Sequence, residues 1–255
     1  MRAPLIGPFS REDDVTIDEN QIISKILDEE NGVMIDVGAH IGQSLMPFLQ
    51  RDWTIYAFEP DDNNRKSLLS RVGSHSKSRN LHLFDLCVGE QDKFSVEFFE
   101  SPISSGISGL HPFHPSHSKS KVVDVITLDR FVEKHQLERI NYLKVDTEGN
   151  DLFVLKGFPW ERLNPDIILC EFESRRTIGL GYTAEELAQF LLEKNYTVYA
   201  SIWHPVIQYG TRHQWERLDL YPCFIPQAAW GNFIAIRQET VDTSFTKTLQ
   251  RIFLE

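Results

Sequence analysis

The sequence has few cysteines and no long hydrophobic run, and each lack excludes a class of protein. Only three cysteines, Cys87, Cys170 and Cys223, occur in 255 residues. They form no C-x-x-C pair, which argues against a disulfide scaffold or a zinc finger. Charged residues or glycine interrupt every apolar stretch before the roughly 18 residues of a membrane span. The N-terminus also lacks the apolar core of a secretory signal. We therefore expect a cytoplasmic protein without a membrane span.

Positive charge is also scarce, which bears on the partners of the protein. The chain has 26 Lys and Arg against 37 Asp and Glu, a net charge of −11. Such a chain repels phosphate backbones, so a nucleic-acid partner is not expected. The hydrophobic fraction of 41% is ordinary for a globular protein, and a chain of this length can bury a large core. We expect one folded domain.

Short apolar runs alternate with amphipathic segments along the chain. Val33–Val37 and Thr54–Glu59 end in Gly and Pro, which is typical of buried parallel strands that each precede a helix. Further strands are predicted at 81–88, 140–146 and 167–172. Two late strands resemble an antiparallel hairpin at one edge. The pattern predicts an α/β fold with helices on both faces of a mostly parallel sheet, and pattern alone does not separate the doubly wound folds.

Composition divides the chain into three parts, and the middle part contains two distinct segments. Residues 1–20 are charged and predict a solvated lead-in, and residues 21–240 carry the domain. Within the domain, residues 101–120 are rich in Ser, Pro, Gly and His and too long for an ordinary connection, so we predict a lid loop there. Residues 203–230 are an aromatic insert, predicted on the acceptor side. Residues 241–255 are a C-terminal helix or tail.

A glycine-containing turn follows the first strand and predicts a nucleoside site. Gly38 allows a tight turn, Gly42 allows close helix packing, and Glu59 after the second strand suits a ribose diol. The G-x-x-x-G spacing is not the G-x-G-x-x-G of a pyrophosphate turn, and the acidic Asp36 opposes phosphate. S-adenosylmethionine carries a sulfonium and an ammonium group but no phosphate, so we predict it as the cofactor.

Charged residues also cluster at a later strand end. Lys144, Asp146 and Glu148 alternate, so an extended chain would place them on one face at the carboxyl end of a central strand. Glu171 and Glu173 follow the next strand and are expected beside them. Charged groups are seldom placed inside a sheet without a partner or a task. The pattern fits a catalytic site or a structural ion pair of Lys144 with Asp146 or Glu171.

These motifs together resemble a known family. The blocks occur in the order I-D-V-G-A-H-I-G-Q (35–43), A-F-E-P (57–60), C-V-G-E (87–90), S-G-L (108–110), T-L-D (127–129), L-K-V-D-T-E-G (143–149) and L-K-G (155–157). In this order they closely resemble the FkbM family of S-adenosylmethionine-dependent methyltransferases. The resemblance implies a Rossmann-like class I methyltransferase fold, with a seven-stranded sheet and an antiparallel edge hairpin. It also implies methylation of a hydroxyl oxygen on a sugar or other small molecule.

The resemblance assigns roles to individual residues. It implies that the turn from Asp36 to Gly42 holds the methionine part of the cofactor, that Glu59 holds the ribose, and that the strand end from Asp85 to Cys87 lies at the adenine. The predicted cofactor-binding residues are Asp36, Gly38, Ala39, His40, Gly42, Glu59, Asp85, Cys87 and Asp146. The predicted catalytic residues are Asp146, Glu148, Lys144 and His40. A carboxylate or the histidine is expected to remove the acceptor proton, and Lys144 is expected to fix Asp146.

Other functions remain open at this level. His111, His114 and His117 are spaced three apart, but the neighbouring prolines oppose the helix that would align them, so no metal site is predicted. A nucleotide-dependent oxidoreductase on the same sheet would need the third glycine that is missing. A catalytically idle nucleoside-binding module would bind the cofactor without turnover.

Overall fold

The computed structural model describes residues 17–73, 78–206 and 213–240. The strands are β1 (Val33–Val37), β2 (Thr54–Phe58), β3 (Leu81–Phe84), β4 (Cys87–Val88), β5 (Lys93–Glu100), β6 (Ser118–Ile126), β7 (Tyr142–Val145), β8 (Ile167–Phe172), β9 (Tyr196–Trp203), β10 (Trp215–Leu220) and β11 (Trp230–Arg237). The α-helices are α1 (Glu19–Ile26), α2 (Met46–Leu49), α3 (Asp62–Val72), α4 (Leu128–His135), α5 (Asp151–Lys156), α6 (Ser174–Thr177) and α7 (Ala184–Glu193). The predicted tail at 241–255 and most of the lead-in lie outside the described residues.

Eight strands form the main sheet, in the order β10-β9-β11-β8-β7-β1-β2-β3. The five strands from β8 to β3 are parallel neighbours, whereas β11 runs antiparallel between β8 and β9. The α/β class and the mostly parallel sheet are confirmed. The count of seven strands is corrected to eight, because β10, within the predicted insert, pairs antiparallel with β9 and extends the edge.

Helices cover both faces of this sheet. Successive strand residues point to opposite faces, and Met34 and Ile35 accordingly belong to two different apolar cores. The core around Ile35 includes side chains of α4, α5 and α7, and the core around Met34 includes side chains of α1, α2 and α3. The predicted layer on each face is therefore present.

Local capping explains where the helices begin. Asp61 accepts hydrogen bonds from Asn63 N and Asn64 N at the start of α3, as its position after the second strand predicts. Thr183 forms a capping box with Glu186 at α7. The helix predicted to follow the first strand begins only at Met46, because turns occupy the residues before it. No helix in the described part of the chain is long and apolar enough to cross a membrane.

A second, smaller sheet interrupts the predicted third strand. The predicted strand at 81–88 divides into β3, which joins the main sheet, and β4, which pairs with β6 in the order β4-β6-β5. Asp85 and Leu86 make the break between them. The chain therefore leaves the main sheet at this point and returns to it at β7.

The carboxyl ends of four parallel strands are level at one edge of the main sheet. Val37 pairs in register with both Phe58 and Val145, and Val145 pairs with Cys170. The residue that follows each strand position is then placed at the same edge, where ligands of such sheets bind.

Candidate active site

The turn after β1 is packed tightly against its neighbouring strands. Gly38 has a φ of +80°, and a Cβ atom there would lie 1.8 Å from the carbonyl oxygen of Asp146. The backbone N–H groups of Gly38 and Ala39 both donate to the carbonyl oxygen of Phe58, each at 3.0 Å. Only glycine fits this conformation and this close approach. The turn therefore presents its backbone, with no side chain at Gly38, to the edge of the sheet.

Glu59 ties this turn to the start of α3. Its Oε2 accepts a hydrogen bond from His40 N at 2.7 Å, and its Oε1 accepts one from Asp61 N at 2.8 Å. The side chain is buried, and burial raises the pKa of Glu59 to about 7. Glu59 is therefore a carboxyl group fixed by two backbone amides that titrates near neutral pH.

Lys144 holds two carboxylates together beneath the turn. Its Nζ lies 3.2 Å from Oδ1 of Asp36 and 3.3 Å from Oδ2 of Asp146, and it donates to the carbonyl oxygen of Gly38 at 3.1 Å. Asp36 is fully buried and also accepts from Ser44 Oγ at 2.6 Å. Burial lowers the pKa of Lys144, but the charges of Asp146 and Asp36 outweigh it, so that the pKa is raised. The predicted pair of Lys144 with Asp146 is present.

Arg176 forms ion pairs with a second group of acids. This arginine was not among the residues predicted for the site. Its Nη1 pairs with Glu148 and, at 2.9 Å, with Oε2 of Glu171, and its Nη2 pairs with Oε2 of Glu173 at 2.7 Å. Glu171 therefore pairs with Arg176 and not with Lys144. The three-residue spacing from Glu173 to Arg176 is the spacing of a helical ion pair, and this signal would have indicated the arginine.

Two of these acids have strongly perturbed ionisation. Burial raises the pKa of Glu148 to about 8, although the positive charge of Arg176 opposes it. Burial raises the pKa of Glu171 as well, again against the charge of Arg176. Burial therefore favours the protonated form of both carboxyl groups, and the shared guanidinium opposes it.

The predicted common face of Lys144, Asp146 and Glu148 is only partly correct. The strand β7 ends at Val145, so the two acids lie beyond it, and Glu148 has a φ of +59°, which turns the chain. Carboxylate oxygens of Asp146, Glu148 and Glu171 still lie within 4.8 Å of one another. The turn after β7, and not strand alternation, therefore brings these three acids together.

A cavity of about 800 Å³ opens over these groups. At one end it is lined by the turn after β1, by Glu59 and by Cys87, and at the other end by Glu171, Arg176, Val206, His213 and Trp230. Its size is within the range of cofactor and substrate sites. The cavity is lined by acids of both groups, Asp146 from the first and Glu148 and Glu171 from the second.

Residues 101–117 are here called the cover segment, and its part from Ser104 to Leu110 lines the cavity. Ser105 Oγ lies 2.9 Å from His40 Nε2, and the carbonyl oxygen of Ser105 accepts from Asn64 Nδ2 at 3.2 Å. Further along, the ring of Phe113 lies 4.3 Å from the guanidinium carbon of Arg176. The segment contacts the site at both ends of the cavity.

Two of the three loop histidines form hydrogen bonds within the cover segment. His117 Nδ1 accepts hydrogen bonds from the backbone N–H groups of Phe113 and His114, and its Nε2 lies 2.9 Å from the carbonyl oxygen of Ile107. His114 Nδ1 lies 2.6 Å from Ser116 Oγ. These contacts fold the segment into a compact turn.

The predicted site residues divide into two sets. Those that line the cavity are Gly38, His40, Glu59, Cys87, Asp146 and Glu148. Asp36, Ala39, Gly42 and Lys144 lie behind the lining and shape the turn. Asp85 pairs with Arg65 at 2.7 Å and with Lys121 at 3.4 Å, and its neighbours Leu86 and Cys87 line the cavity in its place.

The chain is similar to several known proteins. A family model described as the methyltransferase FkbM domain matches residues 36–198, which is more than half of the chain. The chain is 30% identical over 142 residues to the hexuronic acid methyltransferase AglP of Haloferax volcanii, a match that covers 54% of this chain and 56% of that protein. The chain thus spans about half the length of this curated relative.

Two solved structures are also similar. One is a methyltransferase FkbM from Methylobacillus flagellatus KT, with 20% identity and a TM-score of 0.47, covering 74% of this chain and 42% of that chain. The other is TrmK of M. capricolum in complex with S-adenosylhomocysteine, with 9% identity and a TM-score of 0.46, covering 91% of this chain and 74% of that chain.

Proposed function

The chain belongs to the FkbM methyltransferase family, and from that premise we propose that it transfers a methyl group from S-adenosylmethionine to a hydroxyl oxygen of a small molecule or sugar. The observation that carries the proposal is the cavity lining. Four carboxyl groups (Glu59, Asp146, Glu148 and Glu171) face the cavity, and Arg176 is the one Lys or Arg among the described residues that line it.

The lining suits this cofactor by its charge. S-adenosylmethionine carries a sulfonium and an ammonium group, which carboxylates attract, and it has no phosphate for them to repel. Gly38 lines the cavity without a side chain, so a ligand can contact the backbone of the turn. Glu59 has two oxygens held in place by amides and is suited to accept hydrogen bonds from a ribose diol. A dinucleotide would place its phosphates against the same acids.

When bound, S-adenosylmethionine supplies a methyl group already activated on sulfonium. The chain then aligns the acceptor and takes its proton. We assign the proton to a carboxylate oxygen of Asp146, because this side chain lines the cavity and Lys144 fixes it from behind. His40 stands next in order, since burial lowers its pKa and leaves a neutral imidazole at the cavity wall.

The acceptor enters at the opposite end of the cavity in this proposal. Val206, His213 and Trp230 belong to the predicted acceptor-side insert and line that end. The named acceptor class of the curated relative is a hexuronic acid, which supports a sugar as the acceptor here. The cover segment, which contacts both ends, would open to admit the ligands and close to exclude water.

Calorimetry with purified protein tests the proposal. S-adenosylhomocysteine should bind with micromolar-range affinity while NAD should not bind. Labelled methyl groups from S-adenosylmethionine should then appear in an acceptor when small-molecule fractions of a lysate are screened. Binding of NAD would support an oxidoreductase instead. Binding of S-adenosylhomocysteine without transfer into any fraction would support an idle binding module.

A further inference from the structure

The part of the cover segment that lines the cavity is held at Ser105 by two polar contacts. The Oγ of Ser105 lies 2.9 Å from Nε2 of His40, and its carbonyl oxygen accepts a hydrogen bond from Nδ2 of Asn64 at 3.2 Å. His40 belongs to the turn after β1, and Asn64 belongs to α3. Two separate elements of the main fold therefore hold the same residue of the cover segment.

Both partners of Ser105 also contact Glu59, the carboxyl group proposed for the ribose. The backbone N–H of His40 donates to Oε2 of Glu59 at 2.7 Å. Burial raises the pKa of Glu59, and a hydrogen bond from the side chain of Asn64 is among the contacts that lower it. The contact with Asn64 thus favours the ionised carboxylate, which is the form that a ribose diol binds. The cover segment and the proposed ribose site therefore share two neighbours.

The side chain of Asn64 has no part in capping the helix that carries it. Asp61 is the N-cap of α3 and accepts a hydrogen bond from the backbone N–H of Asn64 at 3.0 Å. Asn64 is buried and lines the cavity. Asparagine is a weak helix former, and a buried amide needs hydrogen-bond partners. Its amide nitrogen carries two N–H donors, so it can serve Ser105 and Glu59 together.

We infer that Asn64 is a positioning residue that couples binding of the cofactor to closure of the cover segment. The inference rests on the proposed function, because it takes Glu59 as the ribose site. A ribose bound to Glu59 keeps the carboxylate ionised, and the ionised carboxylate orients the amide of Asn64 with its donors toward Glu59 and Ser105. The bound cofactor and the closed segment then stabilise one another, and such coupling is reciprocal. Asn64 acts through these two residues and takes no part in the methyl transfer itself.

Asn64→Asp tests the inference, because it keeps the size of the side chain and replaces the N–H donors with a charged oxygen. That oxygen would face the carbonyl oxygen of Ser105 and the carboxylate of Glu59 and would repel both. Asn63→Asp is the matched control, since it makes the same change at the preceding residue of α3, which is exposed and outside the cavity lining. Asn64→Ala removes the donors without adding charge, and alanine favours the helix.

Hydrogen exchange measured by mass spectrometry reports opening of the cover segment. Exchange of the backbone amides of residues 104–110 is followed with and without saturating S-adenosylhomocysteine, and the amides of α7 report global unfolding. In the wild-type protein and in Asn63→Asp, the ligand should slow exchange at 104–110 about tenfold or more. This protection should fall to about twofold or less in Asn64→Asp, and it should fall about threefold in Asn64→Ala, which loses one neutral hydrogen bond to Ser105.

The ratio of exchange rates without and with ligand separates coupling from a structural role. A contact of Asn64 that only supports the fold would speed exchange equally in both states and leave the ratio unchanged. An unchanged ratio in both Asn64 variants would overturn the inference, as would an equal loss in Asn63→Asp. Melting curves verify that each variant folds, and Asn64→Ala decides the question if Asn64→Asp does not fold.

Calorimetry on the same proteins distinguishes this inference from the proposed function. If S-adenosylhomocysteine does not bind the wild-type protein, the proposed function fails and the coupling falls with it. If it binds and leaves exchange at 104–110 unchanged, only the coupling fails. In Asn64→Asp its affinity should fall about tenfold, because a second negative charge beside Glu59 opposes ionisation of that carboxyl group. Saturation in the exchange experiment removes the effect of this weaker binding.

Discussion

The titration of Glu59 near neutral pH makes cofactor binding pH-dependent in a way that can be measured. Burial raises the pKa of this carboxyl group to about 7, and its two oxygens accept hydrogen bonds from His40 N and Asp61 N. A ribose diol donates hydrogen bonds, so it favours the ionised carboxylate over the protonated acid. Cofactor affinity should therefore rise as the pH rises through 7.

The magnitude follows from the ionised fraction. With a pKa of about 7, the carboxylate is about one-tenth ionised at pH 6 and about nine-tenths ionised at pH 8. If only the ionised form binds well, the apparent affinity for S-adenosylhomocysteine increases about tenfold over that range. Binding at pH 7 should also release close to half a proton per site, because the bound carboxylate is fully ionised.

The titration of Glu59 should also affect folding stability, which should fall as the pH rises. The folded pKa of Glu59 is raised above the value of 4.5 expected for an exposed glutamate, so between these values the folded chain binds more protons than the unfolded chain. Stability conferred in this window is therefore lost as the pH rises from about 4.5 to 7. Glu148 and Asp151, with pKa values raised by burial to about 8 and about 7, act in the same direction.

Glu59→Gln isolates the contribution of this residue. The amide has one acceptor oxygen, so one of the two backbone N–H groups loses its partner, at a cost of about 1–3 kcal/mol in stability. Glu59→Ala removes both acceptors and should weaken cofactor binding by about 2–4 kcal/mol. Calorimetry at pH 6, 7 and 8, in buffers of different ionisation enthalpy, measures affinity and proton release together. A flat wild-type profile, or the same slope in Glu59→Gln, would refute the reasoning.

Three other predictions follow from the same edge of the sheet. Asp146→Asn should lower turnover about a hundredfold with little change in melting temperature, because Lys144 keeps its contact with Asp36; unchanged turnover per folded molecule would remove Asp146 from the chemistry. Gly38→Ala should lower stability by about 3 kcal/mol or more in thermal melts, since its Cβ would overlap a carbonyl oxygen, and a wild-type melt would contradict the tight turn. The cover segment, residues 101–117, should be cleaved more slowly by protease when S-adenosylhomocysteine is added, and equal rates would argue against its closing over the cofactor.

The sequence predicted the parallel half of the sheet well and the antiparallel half less well. Buried parallel strands such as β1 and β8 are short, continuous apolar runs between breakers, so their pattern is unambiguous. β10 has the sequence W-E-R-L-D-L, in which the adjacent charged residues Glu216 and Arg217 interrupt the alternation of apolar and polar positions, and its register shifts at the same place. Its pairing with β9 depends on tertiary contacts that no local pattern carries.

The candidate site shows the same division between local and distant signals. The glycine turn and Glu59 were predictable, because each follows a strand within a few residues and the chemistry of the side chain indicates the ligand. The partner of Glu148 was not predictable. It is Arg176, which lies 28 positions later on a four-residue helix, and Glu148 itself has a φ of +59°, outside the extended conformation that strand alternation assumes. Strand alternation assumes an extended chain, and it therefore grouped Glu148 with Lys144.

Lys144 and Arg176 therefore bind two separate groups of acids, and the two groups differ in how easily a carboxylate can accept a proton. Lys144 lies behind the lining and contacts Asp36 and Asp146, of which only Asp146 reaches the cavity, with 41% of its side chain exposed. Because Asp36 remains as a counter-charge, the charge of Asp146 is free to change during a proton transfer without leaving Lys144 unpaired. Arg176 instead binds acids whose pKa values are raised by burial, so a charge change there alters three contacts at once. The group that can accept a proton with the smallest structural cost is therefore Asp146, and the group around Arg176 is better suited to hold an acceptor in place.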